Sequence, residues 1–174
     1  MEHQRRFPTN IFIGDDFINS LEGPEYTDGL IQGMKKYIEK LWAKRDKNKP
    51  NFQTHPFLYN EKEFIPLADL ILKNNLKNMK TLKYNVELEN LFMSGMWANV
   101  IAPGEMHRAH THSNNLWSGV YYLHSDQNAG ITFQDPRPAA DVLVPRKLEH
   151  TTENSNLLLY ASKMNRAIMF PSWL

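Results

Sequence analysis

The chain contains no cysteine. That absence excludes a disulfide framework, thiolate zinc sites, iron–sulfur clusters and a cysteine nucleophile. Net charge is also nearly absent: 20 Lys and Arg stand against 19 Asp and Glu, which leaves +1. Such a balance gives no reason to expect nucleic acid or an anionic membrane as a partner. No apolar run approaches the ~18 residues of a membrane-spanning helix, and residues 1–7 lack the apolar stretch of a secretory signal. There is no glycine-rich phosphate loop, no Gly-x-Ser-x-Gly elbow, no defensible pair of catalytic carboxylates and no internal repeat. What is present is 174 residues, 41% of them apolar, enough for one cytoplasmic domain with a real core.

The two halves differ in character. Residues 1–90 hold 14 of the 20 basic and 13 of the 19 acidic residues; residues 91–174 hold 6 of each. A charge-dense, sign-balanced half suggests solvated helices, and a charge-poor half suggests packed strands. Leu30, Ile31, Met34, Tyr37, Ile38, Leu41 and Trp42 form one apolar stripe at helical spacing. The basic run 44–49 follows as a solvated helix end, and Pro50 stops it. A second helix is expected from about Pro66, fraying through Asn74 and Asn75. After Thr81 short β-prone runs alternate with turn residues: 86–92, 96–101, 117–123, 131–133, 157–160 and 167–170. Strands without intervening helices predict an antiparallel sandwich or barrel. Residues 139–152 have little pattern and are expected to form a long loop. The expected class is α+β and mainly β: a helical layer over 1–83 and a strand core over 84–174, in one domain.

Five of the seven histidines follow residue 90, and His107, His110 and His112 fall within six residues. In an extended segment residues i and i+2 share a face, so His110 and His112 can aim two imidazoles at one point. Imidazole is the commonest protein ligand for iron, zinc, copper and nickel. His107, three residues from His110, has the wrong parity unless the chain bends. Chance His-x-His pairs are common, but this one follows a Pro103-Gly104 turn and precedes the β-prone run 117–123. That context places two ligands at the mouth of a sheet.

These residues carry a resemblance. Asn99, Pro103, Gly104, His110 and His112 together resemble the motif of 2-oxoglutarate/Fe(II)-dependent oxygenases. The chain is most similar to a family of such enzymes from bacterial and marine phage genomes. The likeness extends to Arg6-Phe7-Pro8-Thr9-Asn10-Ile11-Phe12, Trp97-Ala98-Asn99-Val100, Ser118-Gly119-Val120-Tyr121-Tyr122-Leu123, Gly130-x-x-Phe133, Asp135-Pro136-Arg137 and Phe170-Pro171-Ser172-Trp173-Leu174. It implies a double-stranded β-helix, a jelly-roll barrel related to the cupins, with helices outside one sheet. It implies Fe(II) held by a facial triad that includes His110 and His112, 2-oxoglutarate as cosubstrate and ascorbate as an accessory reductant. It also implies hydroxylation of a small-molecule or peptidyl substrate. Asn99 and Tyr122 are then the residues expected to touch the cosubstrate.

Two departures qualify the likeness. Most such oxygenases carry a carboxylate where this chain has His112. The family's second metal histidine normally follows the Phe-Pro-Ser-Trp-Leu stretch, and an arginine for the cosubstrate lies on the last strand. The sequence stops at Leu174, so the expectation is either an amino-terminal portion of a longer protein or a complete chain that has lost the oxygenase site, in both cases with the C-terminal strands missing and an open sheet edge. Pairing across that edge would make a homodimer. A cupin-like barrel that binds metal or a small ligand without turnover, or a structural barrel, is the alternative. Among the other candidates for a third ligand, His107 is the best local substitute if the loop folds back, His124 and His150 match no ligand position, and His55 and His3 read as surface residues. Trp97 could wall a pocket, though such residues are more often core. Arg137 is expected to pair locally with Asp135.

Overall fold

The computed structural model describes residues 2, 4, 7–20, 23–126, 129–137, 142 and 144–174. It holds two helices and several antiparallel sheets. The strands are β1 (Phe12–Gly14), β2 (Phe52–Gln53), β3 (Asn99–Val100), β4 (Trp117–Tyr121), β5 (Gly130–Gln134), β6 (Leu157–Ala161) and β7 (Ala167–Pro171). The helices are α1 (Pro24–Ala43) and α2 (Ile65–Thr81). Two compact units form: residues up to Asp15 join Thr111–Leu174, and Asp16–His110 makes the other. The partition differs from a split near residue 83. Residues 84–110 go with the helices, and β1 goes with the later strands. Arg6 and His3 lie outside the described residues, as do residues 139–141 and 143 of the expected loop. Among the described residues no helix is long and apolar enough to cross a membrane.

In the helical unit, α1 starts six residues earlier than its apolar stripe. Pro24 occupies the first turn, where its missing N–H costs nothing. Gly23, at φ +105°, makes the entry bend that a side chain would resist. Thr27, Ile31 and Met34 form the buried stripe. At the far end the Arg45 guanidinium lies 3.5 Å over the Trp42 ring and donates to the Trp42 carbonyl. Helix α2 does not fray at Asn74 and Asn75. Asn74 satisfies its side-chain amide on the Leu70 carbonyl (2.9 Å), and buried Met79 anchors the last turn. Tertiary burial overrides local propensity there. Residues 86–92 are not a strand. They contain a 3-10 turn at Leu88–Asn90, and Phe92 is 82% exposed, so no face is buried to reward pairing. The run 96–101 yields only β3, paired with β2, and an isolated bridge from Met96 to Phe57.

In the strand unit, one sheet has the order β1-β7-β4 and a second is the β5-β6 pair, all antiparallel. Strand β7 is therefore flanked on both sides rather than left as an open edge. Its residues Ala167, Ile168, Met169 and Phe170 are all buried, which explains their continuous apolar run. Val120 and Ile13 both pair with Ile168, and Ser118 pairs with Phe170. Directly paired residues share a face. That face meets Phe133 of β5, whose ring packs against Phe170 at 4.8 Å, and Ile131, Tyr122 and Leu174 complete the core. Gly130 is required where it stands, because a Cβ there would collide with the Tyr160 carbonyl. The chain crosses from β6 to β7 through a corner. Asn165 there takes φ +61°, donates its N–H to the Tyr122 carbonyl and accepts from the Tyr121 hydroxyl. Arg166 then reaches Asp15 at the end of β1, donating from Nε (2.6 Å) and Nη2 (3.0 Å), and Lys163 joins at 3.2 Å.

Ile168 is fully buried, so Ile168→Ala should destabilise the protein by about 2–5 kcal/mol in urea denaturation. Leu159→Ala, at a position 70% exposed, should change stability by less than about 0.5 kcal/mol. The hydrogen bond from Arg166 holds the Asp15 carboxyl down at about 2. A depressed acid contributes stability that is present above its ordinary value of 3.8 and fades as pH falls towards 2. Wild type and Asp15→Asn should therefore differ in thermal midpoint at pH 6 and converge near pH 2.

Candidate functional site

The register of β4 against β7 creates the best-organised polar group in the strand unit. Ser118 lies opposite Phe170 and so points to the core face. Ser172, two residues beyond Phe170, lies just past the end of β7. Their hydroxyls meet at 2.7 Å, and Ser172 is only 2% exposed. His112 closes the group. Its Nδ1 is 2.7 Å from the Ser118 hydroxyl, and its backbone N–H donates to the Ser172 carbonyl at 3.0 Å. The Ser172 N–H in turn donates to the Leu116 carbonyl, which fixes the far end of the same loop. The half-buried imidazole is thus held through both ring and backbone. An oxygen partner on one ring nitrogen is the arrangement by which outer contacts orient metal-binding histidines.

His110 lies at the end of the other unit, in an exposed loop. Its Nδ1 is 2.7 Å from the Arg108 carbonyl. A carbonyl only accepts, so Nδ1 is the donor in this contact. The His107 ring stands 6.5 Å from the His110 ring between centroids. Tyr122 follows Ser118 and Val120 along the same face. Burial raises its phenol above the ordinary value while the Arg166 charge pulls the other way. Tyr121 faces oppositely and donates to Asn165. Asn99 is exposed on β3, opposite Gln53. Trp97 is partly exposed and lies against Gly95 rather than in a core. Arg137 and Asp135 form the expected local pair, which holds the carboxyl below its usual range. His55, His124 and His150 are all exposed.

Imidazoles whose Nδ1 is engaged by oxygen suit a borderline divalent cation such as Fe(II) in donor type. The set is short in number. Among the described residues no three His, Asp or Glu side chains come together as a metal site. The two serines went unnoticed in the sequence. Each lies inside a stretch of the resemblance, but only the strand register shows that residues 54 apart share one hydrogen bond.

Residues 95–174 match the model of a family described as "Putative 2OG-Fe(II) oxygenase". The matched segment contains His107, His110, His112, Ser118, Tyr122 and Ser172. The match covers 80 of the 174 residues, under half of the chain. The family in general uses Fe(II) and 2-oxoglutarate. No curated protein matches the chain.

Ser118→Ala should leave the buried Ser172 hydroxyl short of a partner and cost about 1–3 kcal/mol of stability. It should also free the His112 ring. Long-range nitrogen–proton NMR correlations should report one dominant His112 tautomer in wild type and a mixture in the variant.

Proposed function

We propose that the chain carries a 2-oxoglutarate- and Fe(II)-dependent dioxygenase of hydroxylase type, built on a double-stranded β-helix with the helices outside one sheet. The observation that supports this reading is the clasped His112 imidazole inside the segment that matches the oxygenase family. His110 and His112 would hold the metal, each through Nε2. When bound, iron and 2-oxoglutarate supply O2-dependent hydroxylation of a C–H bond, with succinate and CO2 as the other products.

The chain's own residues would position and shield. Ser118 and Ser172 keep the His112 ring aimed. Tyr122, kept protonated by burial, would donate its hydroxyl to a cosubstrate carboxylate, and Asn99 would offer an amide to the same molecule. Phe133, Ile168 and Phe170 keep water from the face that Ser118 and Tyr122 share. The substrate class is a small molecule or a peptidyl side chain, with no nucleic acid and no membrane partner; a homodimer through a strand edge fits the same reading. The lack of a three-ligand cluster favours one second reading, a cupin-like barrel that binds metal without turnover.

The test is succinate release from 2-oxoglutarate with Fe(II) and ascorbate. The oxygenase reading expects turnover in wild type and a loss of at least about a hundredfold in His112→Ala. Tyr122→Phe should raise the 2-oxoglutarate concentration at half-maximal rate about tenfold, the loss of one hydrogen bond to a charged group. Tight Fe(II) binding without succinate would favour the non-catalytic barrel. Turnover unaffected by His112→Ala would remove the proposed site.

A further inference from the structure

We infer that His107 is a metal ligand, paired with His110 on one loop of the helical unit. The inference deepens the metal-site reading above and rests on it for the choice of metal. Spacing alone argues against His107, since residues three apart face opposite ways in a strand. The backbone here is not a strand. Residues 105–112 form no helix or ladder, and the segment is entered through a turn in which Glu105 donates its N–H to the Ala102 carbonyl. Gly104 takes φ +84° within that turn. The result brings the two imidazoles to 6.5 Å between ring centroids, at 42° between planes.

That separation is compatible with one shared ion. With metal–nitrogen bonds of about 2.1 Å, two ligating imidazoles have centroids about 5 Å apart when adjacent in the coordination sphere and about 6.5 Å when opposed. A side-chain rotation covers the difference, and both residues are exposed, so no core must open. A second observation points the same way. The Arg108 carbonyl between them accepts from His110 Nδ1 at 2.7 Å, the kind of outer contact that orients a metal-binding imidazole. The ligand chemistry is a first-row divalent ion with a taste for nitrogen. The two histidines bind it without a carboxylate, and water fills the remaining positions.

The test uses Co(II) as a spectroscopic stand-in for Fe(II), titrated anaerobically into the full chain and read by calorimetry and visible absorption. Wild type is compared with His107→Ala, His110→Ala, His112→Ala and, as a control, His55→Ala, all checked for unchanged thermal midpoints. The inference expects His107→Ala to weaken Co(II) at least about tenfold, as His110→Ala does, with His55→Ala unchanged. If His112→Ala weakens binding as well, His107 supplies the third imidazole of the proposed oxygenase site. If His112→Ala has no effect, the His107–His110 pair stands alone and the oxygenase ligand set fails. Co(II) binding that falls in His110→Ala and His112→Ala but not in His107→Ala overturns the inference and leaves the function standing. No Co(II) binding by wild type overturns both.

Discussion

The register between β4 and β7 governs most of what the strand unit does. Ser118 pairs with Phe170, and Val120 pairs with Ile168. Because side chains alternate, that choice sends Ser118, Val120 and Tyr122 to the core face and Trp117, Gly119 and Tyr121 to the other. A slip of one residue would bury Tyr121 against Phe133 and carry Ser118 away from Ser172. The polar group around His112 would then not exist. Gly119 belongs to the same constraint, since a Cβ there would stand 3.0 Å from the Ile168 carbonyl. Apolar burial along β7 is what makes the register costly to change: Ile168 and Phe170 are both removed from water, and Phe133 closes over them.

The two ends of that face carry different chemistry. At one end Ser172, Ser118 and His112 form a compact hydrogen-bonded network, with hydroxyls that can donate or accept. At the other, Arg166 spends its guanidinium on Asp15 and the Ala161 carbonyl. It therefore ties the β6–β7 corner to β1 and influences Tyr122 only through its field. The first end suits a ligand that needs an aimed imidazole. The second is a structural clasp, exposed enough that its electrostatic worth is modest.

Much of this was legible in the sequence, and the failures have physical causes. Both helices follow from apolar periodicity and proline placement, and β5, β6 and β7 from short apolar runs between turns. The strands β1 and β2 are three and two residues long and exist only because remote partners accept them. Residues 86–92 look β-prone, but Leu88 and Phe92 remain exposed and no strand among the described residues pairs with the run. For the site, the His-x-His spacing was visible and so was the oxygenase likeness. The serine network was not, because Ser118 and Ser172 become neighbours only through pairing across the sheet. That His107 could join His110 if the loop folds back was legible too; the turn at Gly104 that brings the two rings together was not.

The central claim is that an oriented imidazole, His112, helps hold an iron atom in this chain. X-ray absorption at the iron edge of the Fe(II)-loaded protein tests it most directly, because multiple scattering from imidazole rings distinguishes histidine from water and carboxylate ligands. The account predicts at least two imidazoles at about 2.1 Å in wild type and one fewer in His112→Ala. A spectrum of oxygen ligands alone, or one unchanged by His112→Ala, would contradict it.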